Sequence, residues 1–417
     1  MMNPQNDDAR AAEPEREARH ETVVSAVGRT YFPVALIARL PYAMMVIGVL
    51  TLVVSVRGSL TLGGATSAMV GIGTAVSGPL IGTAADRFGQ RAVLLVAVVL
   101  SVASLLTLTA VVYADTPPAV VLAAALLIGA TTPQIPPMSR SRLVGVINRR
   151  LRPERRPRAL NGTMAYESAA DEITFVFGPM IVGVLATLLS PSAPILAAVL
   201  LSAAFVVAFA LHRSVRETQR SSEAGEPQAS FASLLTPRLL VVIAGVLGIG
   251  VLFGSTLTSL TSLMEDAGHG ERAGLVYAAM GVGSAAFALA AAWFSTSFTL
   301  RARWLVFSAL IVLGAVGLYL SPSIPLVLVS LLVIGIGVGP TLVTEYSLVS
   351  QRSPASRSAT AMSLASTSIV IGQSAASATT GYLADAFGTR GAALVPIAAA
   401  LVVLAAAVAN LRVRDGR

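Results

Sequence analysis

The chain of 417 residues is 55% hydrophobic and only 12% charged, with a mean hydropathy of +0.77, well outside the range of water-soluble domains. It holds no cysteine and no lysine, which excludes disulfides, thiolate chemistry, cysteine metal sites and a lysine-bearing phosphate loop, and with that loop the use of ATP. The formal charge of +8 comes from 29 arginines set against 21 carboxylates, and the arginines gather in alternate polar segments, a pattern of membrane topology and not of nucleic-acid binding.

Residues 1–29 mix both charges with no apolar face and read as a disordered cytosolic tail. The first apolar run is too long for a signal peptide. Spans 1 to 3 cover 32–56, 62–84 and 92–113, each near the 20 or so residues that cross a ~30 Å hydrocarbon layer as a helix. Span 4 covers 120–137, where Pro133, Pro136 and Pro137 predict a kink or break at its inner end. Residues 143–158 then read as an arginine-rich surface segment, followed by span 5 (160–189) and span 6 (195–211). Residues 212–238 carry Ser221, Ser222, Glu223, Gly225 and Pro227 and read as a linker between a first unit, 30–211, and a second, 239–411. The second unit repeats the count with spans at 239–263, 273–294, 305–320, 324–342, 359–383 and 392–411, before a polar tail, 412–417. Trp293 and Trp304 bracket the turn between spans 8 and 9, where amphipathic rings suit the headgroup layer. The three histidines, His20, His212 and His269, all fall in polar segments, so no metal site can be assembled.

Between spans 2 and 3 stands Gly82-Thr-Ala-Ala-Asp86-Arg87-Phe-Gly89-Gln-Arg91. Its glycines permit a sharp reversal and close backbone approach, Asp86 suits the amides of a helix N-terminus, and Arg87 and Arg91 suit phosphate headgroups or carboxylates. A second copy follows span 11, Gly381-Tyr-Leu-Ala384-Asp385-Ala-Phe387-Gly388-Thr-Arg390, with Ala386 in place of Arg87, and reads as an internal repeat. With the Asp86 turn assigned to the cytoplasm and sides alternating, the outer segments hold only Arg57, Arg272 and Arg390, while the inner ones collect the rest except Arg39, with Arg140, Arg142 and the run Arg149 to Arg158 among them. That asymmetry puts both termini in the cytoplasm and implies contact with anionic lipid.

Four carboxylates fall within spans: Glu167, Asp171 and Glu172 in span 5 and Glu345 at the inner end of span 10. A carboxylate in hydrocarbon must face a cavity, find a cation or stay protonated, so each is a functional candidate. Glu167 and Asp171 share a helix face and Glu172 is turned about 100° away. Glu172 lies about 15 Å beyond Gly162, and Arg39 about 12 Å beyond Tyr31, so the two reach similar depth. On this reading Arg39 is the one arginine well inside a span, and the span 5 cluster is its available partner. Two roles stay open: a proton carrier whose charge Arg39 tunes, or a static tie between spans 1 and 5.

The Gly82 to Arg91 turn between two apolar runs resembles the signature of the major facilitator superfamily of secondary transporters, G-x-x-x-D-R-x-G-x-R, with matches at Gly82, Asp86, Arg87, Gly89 and Arg91. Six spans, a linker and six spans repeat that family's layout over almost the whole chain. The resemblance implies an all-α membrane protein, twelve helices in two pseudo-symmetric six-helix bundles, rocking about a midplane site with the Asp86 turn as a gate. It implies a transporter and not an enzyme, with no cofactor, no metal and no nucleic-acid partner. The turn at 295–303 lacks the glycine and aspartate that many members repeat there, which puts a second inner lock in doubt. Residues 175–183, with Gly178, Pro179 and Gly183, resemble in part the Gly-Pro motif of proton-driven antiporters, though further glycines of that motif are absent. This implies proton-coupled export of a small amphipathic or hydrophobic compound by a monomer in a bacterial cytoplasmic membrane. Superfamily cavities are lined by spans 1, 4, 7 and 10, which carries over to Tyr42, Met45, Gln134, Ser255, Thr258 and Thr341; each could equally hydrogen-bond between helices. An importer or uniporter, or a membrane scaffold or sensor that kept the fold, are the alternatives.

Overall fold

The computed structural model describes residues 22–215, 229–269, 272–295 and 297–412, which are helical almost throughout. The long helices are α1 (Tyr31–Arg57), α2 (Leu60–Phe88), α3 (Gln90–Tyr113), α4 (Pro118–Arg150), α5 (Arg156–Leu188), α6 (Ala193–Leu211), α7 (Pro237–Asp266), α8 (Ala273–Trp293), α9 (Leu300–Leu320), α10 (Ile324–Arg352), α11 (Ser358–Ala392) and α12 (Leu394–Arg412). Eleven of them are long and apolar enough to cross a membrane; the exception, α11, is diluted by a stripe of serine and threonine that turns out to pack against α2. Of the segment read as a cytosolic tail, residues 1–21 lie outside the described residues, while Val23–Val27 is a short helix capped by the Thr22 side chain. Residues 216–228 of the linker and 413–417 of the tail also lie outside them.

Proline sets where the helices break. Pro41 cannot donate to the carbonyl one turn back, so α1 opens at Ala38 and Arg39, whose backbone N–H reaches only Leu36 O at 3.2 Å. In α4 the break spans residues 132–134, and the helix restarts at Ile135 with Pro136 and Pro137 in its first turn, where a missing N–H costs nothing. The sequence reading ended the span at these prolines. The helix instead runs on to Arg150 and carries Arg140 and Arg142 into the bundle, 1% and 0% exposed. Their assignment to an exposed inner segment is thereby corrected: prolines in a first turn restart a helix. Trp304 is corrected as well, since it is fully buried in the second bundle, whereas Trp293 is 78% exposed.

Helices α1–α6 pack on one another and so do α7–α12; the halves meet through α2 with α11, α5 with α8 and α10, and the inner part of α4 with α11. The apolar core of the first bundle is in two parts, one built on Tyr31, Ala35 and Ala38 and the other on Met45, Val49 and Leu52. The division falls at Arg39. The second bundle has one continuous core.

Contact between the halves is graded along the helices. On the arginine-rich face, a Cβ placed on Gly82 would stand 2.7 Å from Ser363 Oγ, and one on Gly78 would stand 2.2 Å from Thr367 Oγ1. Midway, a Cβ on Gly71 would reach Ser374 Oγ at 3.5 Å; beyond it, Gly64 and Gly58 have no described atom within 4 Å. The pair α5 and α8 behaves alike, touching at Asn161 and at Glu172 and leaving Gly183 and Gly274 open. The halves are therefore shut on the arginine-rich face and splayed on the opposite one. Within the first bundle, Gly129 lets α4 lie against α2, where a Cβ would meet Val70 O at 2.0 Å. Gly129→Val is expected to cost about 1–3 kcal/mol through overpacking, read as a lowered midpoint of thermal unfolding in detergent.

Candidate functional site

The polar layer that divides the first core is built from α1, α4 and α5. Arg39, freed at the α1 break, pairs with the Glu167 carboxylate, and both are buried. Ser139 Oγ donates to Glu167 Oε1 at 2.8 Å and lies 2.8 Å from the Tyr31 hydroxyl. One turn along α5, Asp171 stands between two guanidiniums, 3.4 Å from Arg39 Nε and 2.6 Å from Arg140 Nη2. Asp171 is the one carboxyl of this layer that solvent reaches, its side chain 19% exposed against 0% for Glu167. Arg140 also lies over the ring of Tyr346 in α10, 3.8 Å from its centroid, a cation–π contact across the two halves. Glu172 points away from this group and accepts from Ser284 Oγ of α8 at 2.8 Å.

Arg140, Arg142 and Ser139 are not among the site residues that the sequence nominates, because a span that ends at the prolines leaves them outside the bundle. The signal that finds them is the spacing from Arg140 back to Pro137, a single helical turn. Among the described residues Arg142 meets no carboxylate and is held by neutral acceptors, Gln90 Oε1 at 3.0 Å and Phe209 O at 2.8 Å, over the Phe209 ring. Below it on the arginine-rich face, burial and the nearby Arg142 and Arg213 charges push the His212 pKa down, and its ring packs edge-on to Tyr31. Glu345 is buried against Trp304 over Gly245 in the second bundle, and among the described residues it joins no ion pair.

The other candidates scatter. Tyr42 and Met45 line a cavity of about 10 Å³ inside the first bundle, together with Thr132 and Pro133; Tyr42 also packs edge-on to Phe175. Gln134 is buried near Gly78 of α2. Ser255 and Thr341 donate to carbonyls of their own helices, Val251 O and Gly337 O, whereas Thr258 lies 3.9 Å from a Cβ placed on Gly381. Gly178 packs on Ala43, where a Cβ would stand 2.7 Å away, while Gly183 is open; Pro179 sits within α5.

Two contacts seal the arginine-rich face. Asp86 Oδ1 accepts from Ala359 N at 3.0 Å, and its Oδ2 accepts from Thr360 N at 2.7 Å and Thr360 Oγ1 at 2.6 Å, so the carboxylate caps α11 where the helix dipole is positive. Gly89 makes the reversal with φ +85°; Arg87 lies over Phe88, and Arg91 is exposed. The turn after α8, without glycine or aspartate, seals by the opposite polarity. Arg303 Nη1 donates to Asn161 Oδ1 of α5 at 2.7 Å, and Asn161 Nδ2 donates to Ala291 O at 2.6 Å. Arg303 is itself held by Phe298 O and Ser295 O.

The family model described as Major Facilitator Superfamily matches residues 31–377 and, again, 253–416. The chain belongs to the Major Facilitator Superfamily. As a superfamily member it is a multi-pass membrane transporter and not an enzyme, with twelve helices in two six-helix bundles. A search of curated proteins finds no match. Among solved structures it is similar to the human organic anion transporter MFSD10 (TM-score 0.68, 16% identity, 94% of this chain and 99% of that one). It is similar also to a bacterial homologue of the iron transporter ferroportin in an outward-facing state (0.68, 15%, 94% and 100%) and to the proton:xylose symporter XylE (0.65, 14%, 92% and 94%). At these identities the likeness is one of fold. The buried pair supplies a test of its own: Arg39→Ala is expected to lower stability by about 3–5 kcal/mol, because Glu167 is left charged and unpaired in a dry site. Adding Glu167→Gln should restore most of the loss, measured by thermal unfolding as a double-mutant cycle.

Proposed function

We propose that this transporter couples the movement of a small amphipathic or hydrophobic compound to protons, as an exporter, with Asp171 as the proton-carrying group. The observation that carries the reading is the position of Asp171: partly exposed, between two arginines, one of which is anchored to the other half through Tyr346. The positive-inside rule makes the arginine-rich face cytoplasmic, in a bacterial inner membrane, and the splayed face then opens outward. A proton arriving by the open vestibule meets Asp171 first. Once neutral, Asp171 no longer holds Arg140 by charge, while Arg140 keeps its contact with the Tyr346 ring in the second half. The polar layer is then free to rearrange as the halves, 30–211 and 239–411, rock about one another. Arg39 and Glu167, both fully enclosed, suit the static tie, so the two roles left open for the cluster divide between its members.

Glu172 is a second group on the inter-half contact, held by Ser284, and parts from it when α5 and α8 separate. Lipids surround the bundles, and a single chain suffices for the cycle. Proteoliposomes containing a trapped pH dye, challenged with a panel of amphipathic compounds, test the reading. Wild-type protein should acidify the lumen or make it alkaline in step with substrate; Asp171→Asn should abolish that movement, while Ser284→Ala weakens it at most a few-fold. Proton movement that persists unchanged in Asp171→Asn would refute the assignment.

A further inference from the structure

The second copy of the glycine and aspartate turn, residues 381–390, has no part in the cycle so far. At an offset of 299 residues the repeat continues back through both helices: Ser59, Thr61, Gly73, Gly82, Asp86 and Gly89 recur as Ser358, Thr360, Gly372, Gly381, Asp385 and Gly388. The two turn glycines share a left-handed backbone, φ +85° at Gly89 and +70° at Gly388. Thus α2 and α11 are copies of one helix and turn, and they cross the membrane in opposite directions.

Their register shows what the second turn faces. Gly82 meets Ser363; eleven residues back along α2 and eleven on along α11, Gly71 meets Ser374. Eleven residues make about three turns, so the facing stripe is kept. A further eleven bring Leu60 opposite Asp385. In the same register, four residues past Gly82 and four before Ser363, Asp86 meets the amide of Ala359. Leu60 and Thr61 lie in the first turn of α2 after the N-cap Ser59, as Ala359 and Thr360 lie in the first turn of α11, and the threonine is common to both. The amides of a first helical turn have no partner within the helix and carry the positive end of its dipole. In this structure the outer ends stand apart: Asp385 is exposed, and Gly58, Gly64 and Gly388 have no described atom within 4 Å of a Cβ.

We propose that the 381–390 turn is an outer latch, the inverted counterpart of the Asp86 latch. When the outer vestibule closes, Asp385 accepts from the backbone N–H groups of Leu60 and Thr61 and from the Thr61 hydroxyl, capping α2 as Asp86 now caps α11. The contact of Gly71 with Ser374 lies between the two latches and acts as the pivot, so closing one end lifts the other. The two carboxylates thereby hold opposite conformations of the same helix pair. This rests on the alternating-access reading given above.

The chain contains no cysteine, which allows a direct test in the full-length protein in nanodiscs. Gly64→Cys and Gly381→Cys place two thiols on facing positions one turn inside the proposed latch, where neither added Cβ would clash, and their rate of oxidative cross-linking reports closure of the outer end. Asp86→Asn, which releases the inner latch, should raise that rate. Asp385→Asn, and separately Thr61→Val, should lower it by about two- to thirty-fold, the range for loss of a helix cap; Asp385 is exposed, so its removal leaves folding intact. A rate that rises in Asp86→Asn and is unmoved by Asp385→Asn and Thr61→Val would overturn the latch and leave alternating access standing. A pair that never cross-links, even in Asp86→Asn, would overturn both.

Discussion

A guanidinium carried into a low-dielectric interior needs a counter-charge or neutral acceptors in its place; in the first bundle Arg142 takes the second course, and the polar layer follows from meeting the first twice. Arg39 and Arg140 arrive on different helices, each placed by a proline-induced break, and share the carboxylates of α5 between them. The result is a polar sheet of side chains across a core that is otherwise apolar above and below it. Among the described residues the second bundle has no buried ion pair, and its core is continuous. That difference places the buried ion pairs in the first bundle, and the second meets them and their neighbour Glu172 through Tyr346 and Ser284.

The seals on the arginine-rich face illustrate how one mechanical need is met by different chemistry. A helix N-terminus offers amides and takes a carboxylate, hence Asp86 on α11. On the other side of the pseudo-symmetric pair the turn has an arginine to give, and α5 offers Asn161, an acceptor for Arg303 and a donor to Ala291 in the same side chain. The face is shut by both, and the splay of α2 from α11 is the geometric consequence of sealing one end of a pair of rigid helices.

Much of this was legible in residue order. Apolar runs of membrane length, the arginine asymmetry and the Gly82 to Arg91 turn lead to twelve helices in two bundles without reference to coordinates. The rest hid for physical reasons. A proline cluster looks the same whether it stops a helix or restarts one, and that ambiguity concealed Arg140, which joins Asp171 to the other half. The α8 to α9 turn was legible as a departure, but its replacement lay in Asn161, distant in sequence and without a motif. Which members of the Glu167, Asp171 and Glu172 cluster meet solvent depends on packing between helices, which helical spacing alone does not fix. Glu172 was separable by its angle on the helix; the difference between Glu167 and Asp171 was not.

The central claim is that the charge on Asp171 sets the balance between the two conformations of the pair of bundles. Spin labels placed on α1 and α7 at the ends away from the arginine-rich face, with their separation measured by pulsed electron resonance, test it directly. The account predicts that the distance populations of Asp171→Asn are displaced from those of the wild-type protein toward closure of that end. An Asp171→Asn protein with the same distance populations as the wild type would contradict it.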